Sequence, residues 1–200
     1  MHTLADLADH GHFQELRALG LSRNRISDAG CEVLAGALGR GGFPRLRDLY
    51  MSQQQAPGLG DRCASSLAQA LEAARGPRAL EKISAGDNQG LTVEGLILLL
   101  HAMRHDAGRS YRGAPLLREL SLRNISRLCD AMGTAQRARL FAALSGLATP
   151  RSGVWPGGAR RVHVVLNAPA CRAAAQAADW QDAHKRWSSS QDGQVRVSVS

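Results

Sequence analysis

From Leu16 to Leu38 the chain reads LRALGLSRNRISDAGCEVLAGAL, and its apolar positions change period partway along. Leu16, Leu19 and Leu21 stand at offsets of three and then two before Asn24, a pattern that suits a short strand ending in a turn. From Asp28 to Leu38 the spacing is helical. A switch of period inside about 25 residues is the mark of a strand–turn–helix unit, and units of this size come in copies.

The frame LxxLxLxxN recurs as LRALGLSRN at 16–24, LRDLYMSQQ at 46–54, LEKISAGDN at 80–88 and LRELSLRNI at 117–125. Met51 and Ala85 stand for the third apolar residue, Gln54 replaces the asparagine, and Asn124 arrives one position early. The helical halves GCEVLAGAL, CASSLAQAL and GLILLLHAM align in the same way. One strand and one helix cannot bury their apolar faces alone, but stacking on similar neighbours makes a shared core. Asn24 and Asn88 are expected to satisfy backbone groups at the turns. Gln54, followed by the insertion QAP before Gly58, is expected to fit poorly and distort the second turn. Gly30 and Gly95 are expected to let their helices sit close.

These motifs resemble the leucine-rich repeat family, in particular the long repeats of about 28 residues in ribonuclease inhibitor and the NOD-like receptors. NRISDAGCEVLAGAL is the most specific stretch, and the resemblance is strongest over residues 13–103. It implies an α/β horseshoe-shaped solenoid, with a parallel sheet on the concave side and helices on the convex side. The array is assigned to residues 1–132.

Residues 133–200 read as an irregular α-β-α-β continuation of the same solenoid. Thr134 is placed as the N-cap of a helix carrying Leu140, Phe141, Leu144 and Leu147 near one face. RVHVVL should be a strand, Asn167 and Pro169 open a helix through CRAAAQAADWQDAHKRW, and Val195, Val197 and Val199 alternate along a last strand. Six strands are therefore expected, near residues 18–22, 48–52, 82–86, 119–123, 161–166 and 194–199, all parallel.

Composition adds less. The chain has 200 residues, 44% hydrophobic and only 4% aromatic, so Leu and Ala must do the packing. The net charge of +8 is uneven: residues 1–100 hold 10 basic and 11 acidic groups, and residues 101–200 hold 15 and 6. The start, MHTLADLADHGH, lacks the basic and apolar regions of a secretory signal, and GLILLLHAM is too short to span a bilayer. Cysteines 31, 63, 129 and 171 form no close pair, which is expected of reduced, buried thiols rather than a zinc site or CxxC motif. An intracellular, cytoplasmic protein without membrane attachment is the expectation.

Candidate chemistry is sparse. His101 and His105 have the spacing of two metal ligands, but no general base or third ligand accompanies them, so a solvated pair near a helix C-terminus is expected. No phosphate-binding loop, nucleophile motif or paired carboxylates appear. No enzyme activity, metal, cofactor or small-molecule substrate is expected. The recognition surface is the set of outward strand positions. Those chosen as partner-binding are Arg23, Arg47, Tyr50, Gln53, Lys82, Asp87, Glu119 and Arg123, since aromatic and arginine anchors dominate binding energy. The leading expectation is a protein-interaction module with a protein partner. A basic, RNA-associated protein using residues 104–161 is the alternative, although the chain lacks an RNA-binding module and has few aromatics for stacking. Regulation of a small GTPase is a further alternative, suggested only by the existence of such a branch in the resembled family.

Overall fold

A computed structural model describes residues 1–103, 116–123, 133–148, 162–167 and 195–199, with the last two segments described by their backbone. The expected helix over 171–187, Asn124, His105 and most of the basic segment 104–161 lie outside the described residues.

Each frame places one short strand in the sheet: β1 (Ala18–Gly20), β2 (Asp48–Tyr50), β3 (Lys82–Ser84) and β4 (Glu119–Arg123). With β5 (Val162–Asn167) and β6 (Val195–Val199), they form one parallel sheet in chain order. Leu19, Leu49, Ile83 and Leu120 lie in register across four strands. The last three of these are fully buried, as period-two alternation against a covering layer requires.

The covering layer is helical. After α1 (His2–Asp9) come α2 (Asp28–Arg40), α3 (Asp61–Glu72), α4 (Val93–Ala102) and α5 (Thr134–Ala148), each packed on the next. Their buried leucines, among them Leu34, Leu38, Leu67, Leu71, Leu96, Leu100, Leu140 and Leu144, join the strand residues in one cluster. Each such leucine contributes about 1.5–3 kcal/mol. The helix α4 is apolar nearly all round because α3 and α5 flank it, and only Leu98 of its large apolar side chains is exposed. At the other end, Asp9 pairs with Arg40 at 2.6 Å, tying α1 to α2.

The helix starts are linked from unit to unit by carboxylates. Asp28, first residue of α2, accepts through Oδ1 from the backbone N–H of Gly60 at 2.6 Å and of Cys63 at 3.3 Å. Asp61, first residue of α3, does the same for α4: its Oδ1 accepts from Thr92 N–H at 2.8 Å and Gly95 N–H at 3.2 Å. Its Oδ2 takes the Thr92 hydroxyl at 2.6 Å. A helix leaves its first N–H groups without internal partners and carries partial positive charge there, so a carboxylate from the neighbouring unit suits both needs. Gly95 is required by this arrangement, because a Cβ at that position would run into the Asp61 carboxylate and the Ala64 methyl.

Two expectations need correction. Gln54 is no poor fit: it is 8% exposed, and its Nε2 donates to the Leu21 carbonyl at 2.7 Å while its Oε1 accepts from Ile26 N–H at 3.0 Å. Its own N–H donates to Asn88 Oδ1 at 3.2 Å, and Asn88 Nδ2 reaches the carbonyls of Ala85 at 2.8 Å and Met51 at 3.1 Å. The extra methylene of Gln54 carries its amide to the preceding turn, so it links two turns as Asn88 does.

The second correction concerns the cysteines. Cys31 and Cys63 are joined by a disulfide with a Cα–Cα distance of 5.3 Å, where reduced thiols were expected. They are the fourth residue of α2 and the third of α3, so unit stacking brings together two residues 32 apart in sequence. Proximity along the chain was the wrong criterion. Disulfides belong mainly to oxidising environments, so for this pair the thiol-based ground for an intracellular location is removed. Among the described residues no helix is long and apolar enough to cross a membrane.

Candidate interaction surface

The face of the sheet turned away from the helices carries the alternate strand positions. Row by row, the register sets Ala18, Asp48, Lys82 and Glu119 side by side, then Gly20, Tyr50, Ser84 and Ser121. Three positions beyond the ends of β1, β2 and β3, Arg23, Gln53 and Asp87 form a third group, all with positive φ near 60°. That conformation is uncommon outside glycine and recurs here at the same position of three successive turns.

The first and third of these groups are internally bonded. Lys82 Nζ lies 2.9 Å from Glu119 Oε1 and 5.7 Å from the centre of the Tyr50 ring. The hydrogen bond to Glu119 holds the Lys82 ammonium pKa above its ordinary value, against the opposing effect of burial, with the negative charge of Glu119 adding to the shift. Arg23 Nε donates to Gln53 Oε1 at 2.8 Å, and Gln53 Nε2 donates to Asp87 Oδ2 at 3.4 Å. Between these lines runs a hydroxyl row in which Ser52 N–H donates to Ser22 Oγ at 3.1 Å and the Ser52 and Ser84 hydroxyls meet at 3.0 Å.

Of the residues singled out in sequence, the structure brings Tyr50, Lys82 and Glu119 into one cluster and Arg23, Gln53 and Asp87 into another. Arg47 stands at the strand-start rim, 3.8 Å from Glu81. Arg123 ends β4 in register with Asn167, and its side chain lies outside the described residues.

Beside Arg47, several neighbours were not singled out. Arg17, Arg47, Glu81 and Arg118 are adjacent along one rim, as the bonds from Arg47 N–H to the Arg17 carbonyl, Glu81 N–H to that of Arg47 and Arg118 N–H to that of Glu81 demonstrate. On the opposite rim Arg25 Nε donates to Gln55 Oε1 at 2.6 Å, beside the Arg23–Gln53 pair. The signal was present: each rim residue is the second of its frame, as in LR, LR, LE and LR. Attention to outward positions inside the strands passed over those just before and after them.

The surface so arranged has fixed side chains, both charges and one half-buried aromatic ring. Among the described residues no group of three or more His, Cys, Asp or Glu could hold a metal ion. Neither a family model nor a curated protein matches the chain.

Proposed function

We propose that this chain is a leucine-rich-repeat interaction module, acting without catalysis, that holds a protein partner on the concave face of its sheet, the face turned away from the described helices. The observation that supports this most is the continuous register of Asp48, Lys82 and Glu119 and of Tyr50 and Ser84 across successive parallel strands, the second row ending on the buried Ser121. A partner laid across it meets several units at once, with side chains already ordered by their neighbours, so less conformational entropy is lost on binding. The strand-to-helix units, stacked in chain order, favour the repeat assignment.

The test is affinity capture with mass spectrometry, comparing the wild type with the triple variant Tyr50→Ala, Asp87→Ala, Arg123→Ala. Proteins recovered with the wild type and lost with a folded triple variant support the proposal. Equal recovery by both refutes it. The RNA-associated alternative predicts capture that falls steeply with salt, because phosphate contacts release counterions.

A further inference from the structure

Resting on the proposal that the open face is the interaction surface, we infer that its first two strands receive an acidic, extended protein segment. That segment sets an apolar side chain into the notch between Gly20 and Tyr50. The notch is formed by the absence of a side chain. Gly20 pairs in register with Tyr50, and a Cβ built on Gly20 meets nothing within 4 Å. The Tyr50 ring is approached from β3 by the Lys82 ammonium, so its flank toward β1 borders Gly20 alone in that row. A half-buried aromatic ring beside a small floor, with Ala18 on β1 and Ser22 two residues past Gly20, suits an aliphatic or aromatic side chain.

The rims supply the charge. Arg17 and Arg47 precede the two strands, and Arg23 and Arg25 follow the first. Gln53 and Gln55 are neutral, so their hydrogen bonds to Arg23 and Arg25 position the guanidinium groups without cancelling the charge. Glu81 lies 3.8 Å from Arg47 in an exposed pair and screens it weakly. Asp48 is the carboxylate on the floor of these two strands. Positioned arginines of this kind select carboxylates on a partner.

Spacing makes the segment specific. Gly20 is three residues from both Arg17 and Arg23, and an extended chain advances about 3.3 Å per residue. A partner strand lying along β1 therefore reaches both rims with acidic residues placed about three positions on either side of the apolar one.

The probe is a random peptide library displayed on phage and panned against the full chain at physiological salt, with affinities of selected peptides measured by fluorescence anisotropy. The expected consensus is acidic residues about three positions to each side of an aromatic or aliphatic residue. Gly20→Leu fills the notch at a position with ordinary strand backbone, so it should melt no lower than the wild type and bind at least about tenfold more weakly. Arg17→Glu with Arg23→Glu should weaken binding by a similar factor. A consensus without acidic residues, lost with Gly20→Leu, overturns the inferred chemistry and leaves the open face as the binding surface. Acidic peptides unaffected by both Gly20→Leu and Tyr50→Ala overturn the inference and count against the face as well. A library that yields no binder overturns the inference, as does a single-stranded RNA oligonucleotide that binds through Arg17 and Arg23 with no effect of Gly20→Leu.

Discussion

Replacing Asp61 with alanine removes the carboxylate that joins α3 to the start of α4. Three hydrogen bonds go with it, from Thr92 N–H, Gly95 N–H and the Thr92 hydroxyl. Gly95 is buried, so its N–H is left without a partner away from water, which costs about 1–3 kcal/mol. Loss of the negative charge at a helix N-terminus adds about 0.3–1 kcal/mol. The Thr92 side chain still accepts from Glu94 N–H at 3.1 Å, so the helix keeps one cap and the total should be about 1–4 kcal/mol. Chemical denaturation followed by circular dichroism gives the difference. Hydrogen exchange locates it, with faster exchange expected at the amides of Thr92 and Gly95. Gly95→Ala supplies a second arm, because its methyl would displace the same carboxylate. In the Asp61→Ala background that methyl meets no carboxylate, so the double variant should lose clearly less than the two single losses combined. A loss below about 0.5 kcal/mol for Asp61→Ala, or strict additivity with Gly95→Ala, would refute the carboxylate link.

Truncation of the fully buried Leu99 to alanine should cost about 2–5 kcal/mol by denaturant unfolding, and a loss under about 0.5 kcal/mol would remove α4 from the core. The Cys31–Cys63 bond closes a separation of 32 residues, which should add about 3–4 kcal/mol. A lower melting temperature on adding reductant, absent from a Cys31→Ala, Cys63→Ala variant, checks this. The Arg40 hydrogen bond holds the Asp9 carboxyl below its usual pKa. Its stabilising effect is therefore present above the unfolded-state value and lost as pH falls through the folded-state value. Arg40→Ala should reduce the acid sensitivity of the melting temperature slightly, since the pair is partly exposed; an unchanged acid limb would contradict the linkage.

The strand positions were legible because burial on one sheet face imposes period two, and Leu19, Leu49, Ile83 and Leu120 carry that period in register. The helices were legible through their own spacing. What escaped were contacts made between units. Gln54 departs from the frame letter by letter, yet its amide serves the same purpose because one added methylene reaches the preceding turn. Asp28 and Asp61 look like ordinary helix-start residues, and nothing local says that each carboxylate serves the next helix instead of its own. Cys31 and Cys63 meet because their helices are neighbours, a fact of stacking that residue spacing expresses only after the units are aligned. In the candidate surface, Tyr50, Lys82 and Glu119 were found because they alternate with buried residues. Arg17 and Arg25 lie beyond the strands, where alternation no longer indicates direction.

That the open face, and not the basic segment, holds a protein partner is tested most directly by measuring the affinity of one captured partner for two variants at low and moderate salt. One carries Tyr50→Ala, Asp87→Ala and Arg123→Ala; the other carries neutral residues at Arg109, Arg112, Arg160 and Arg161. Loss of affinity with the first, little change with the second, and a salt dependence shallower than that of nucleic-acid binding are the expected result. Binding that survives the first set, disappears with the second and falls steeply with salt would contradict it and assign recognition to the basic segment.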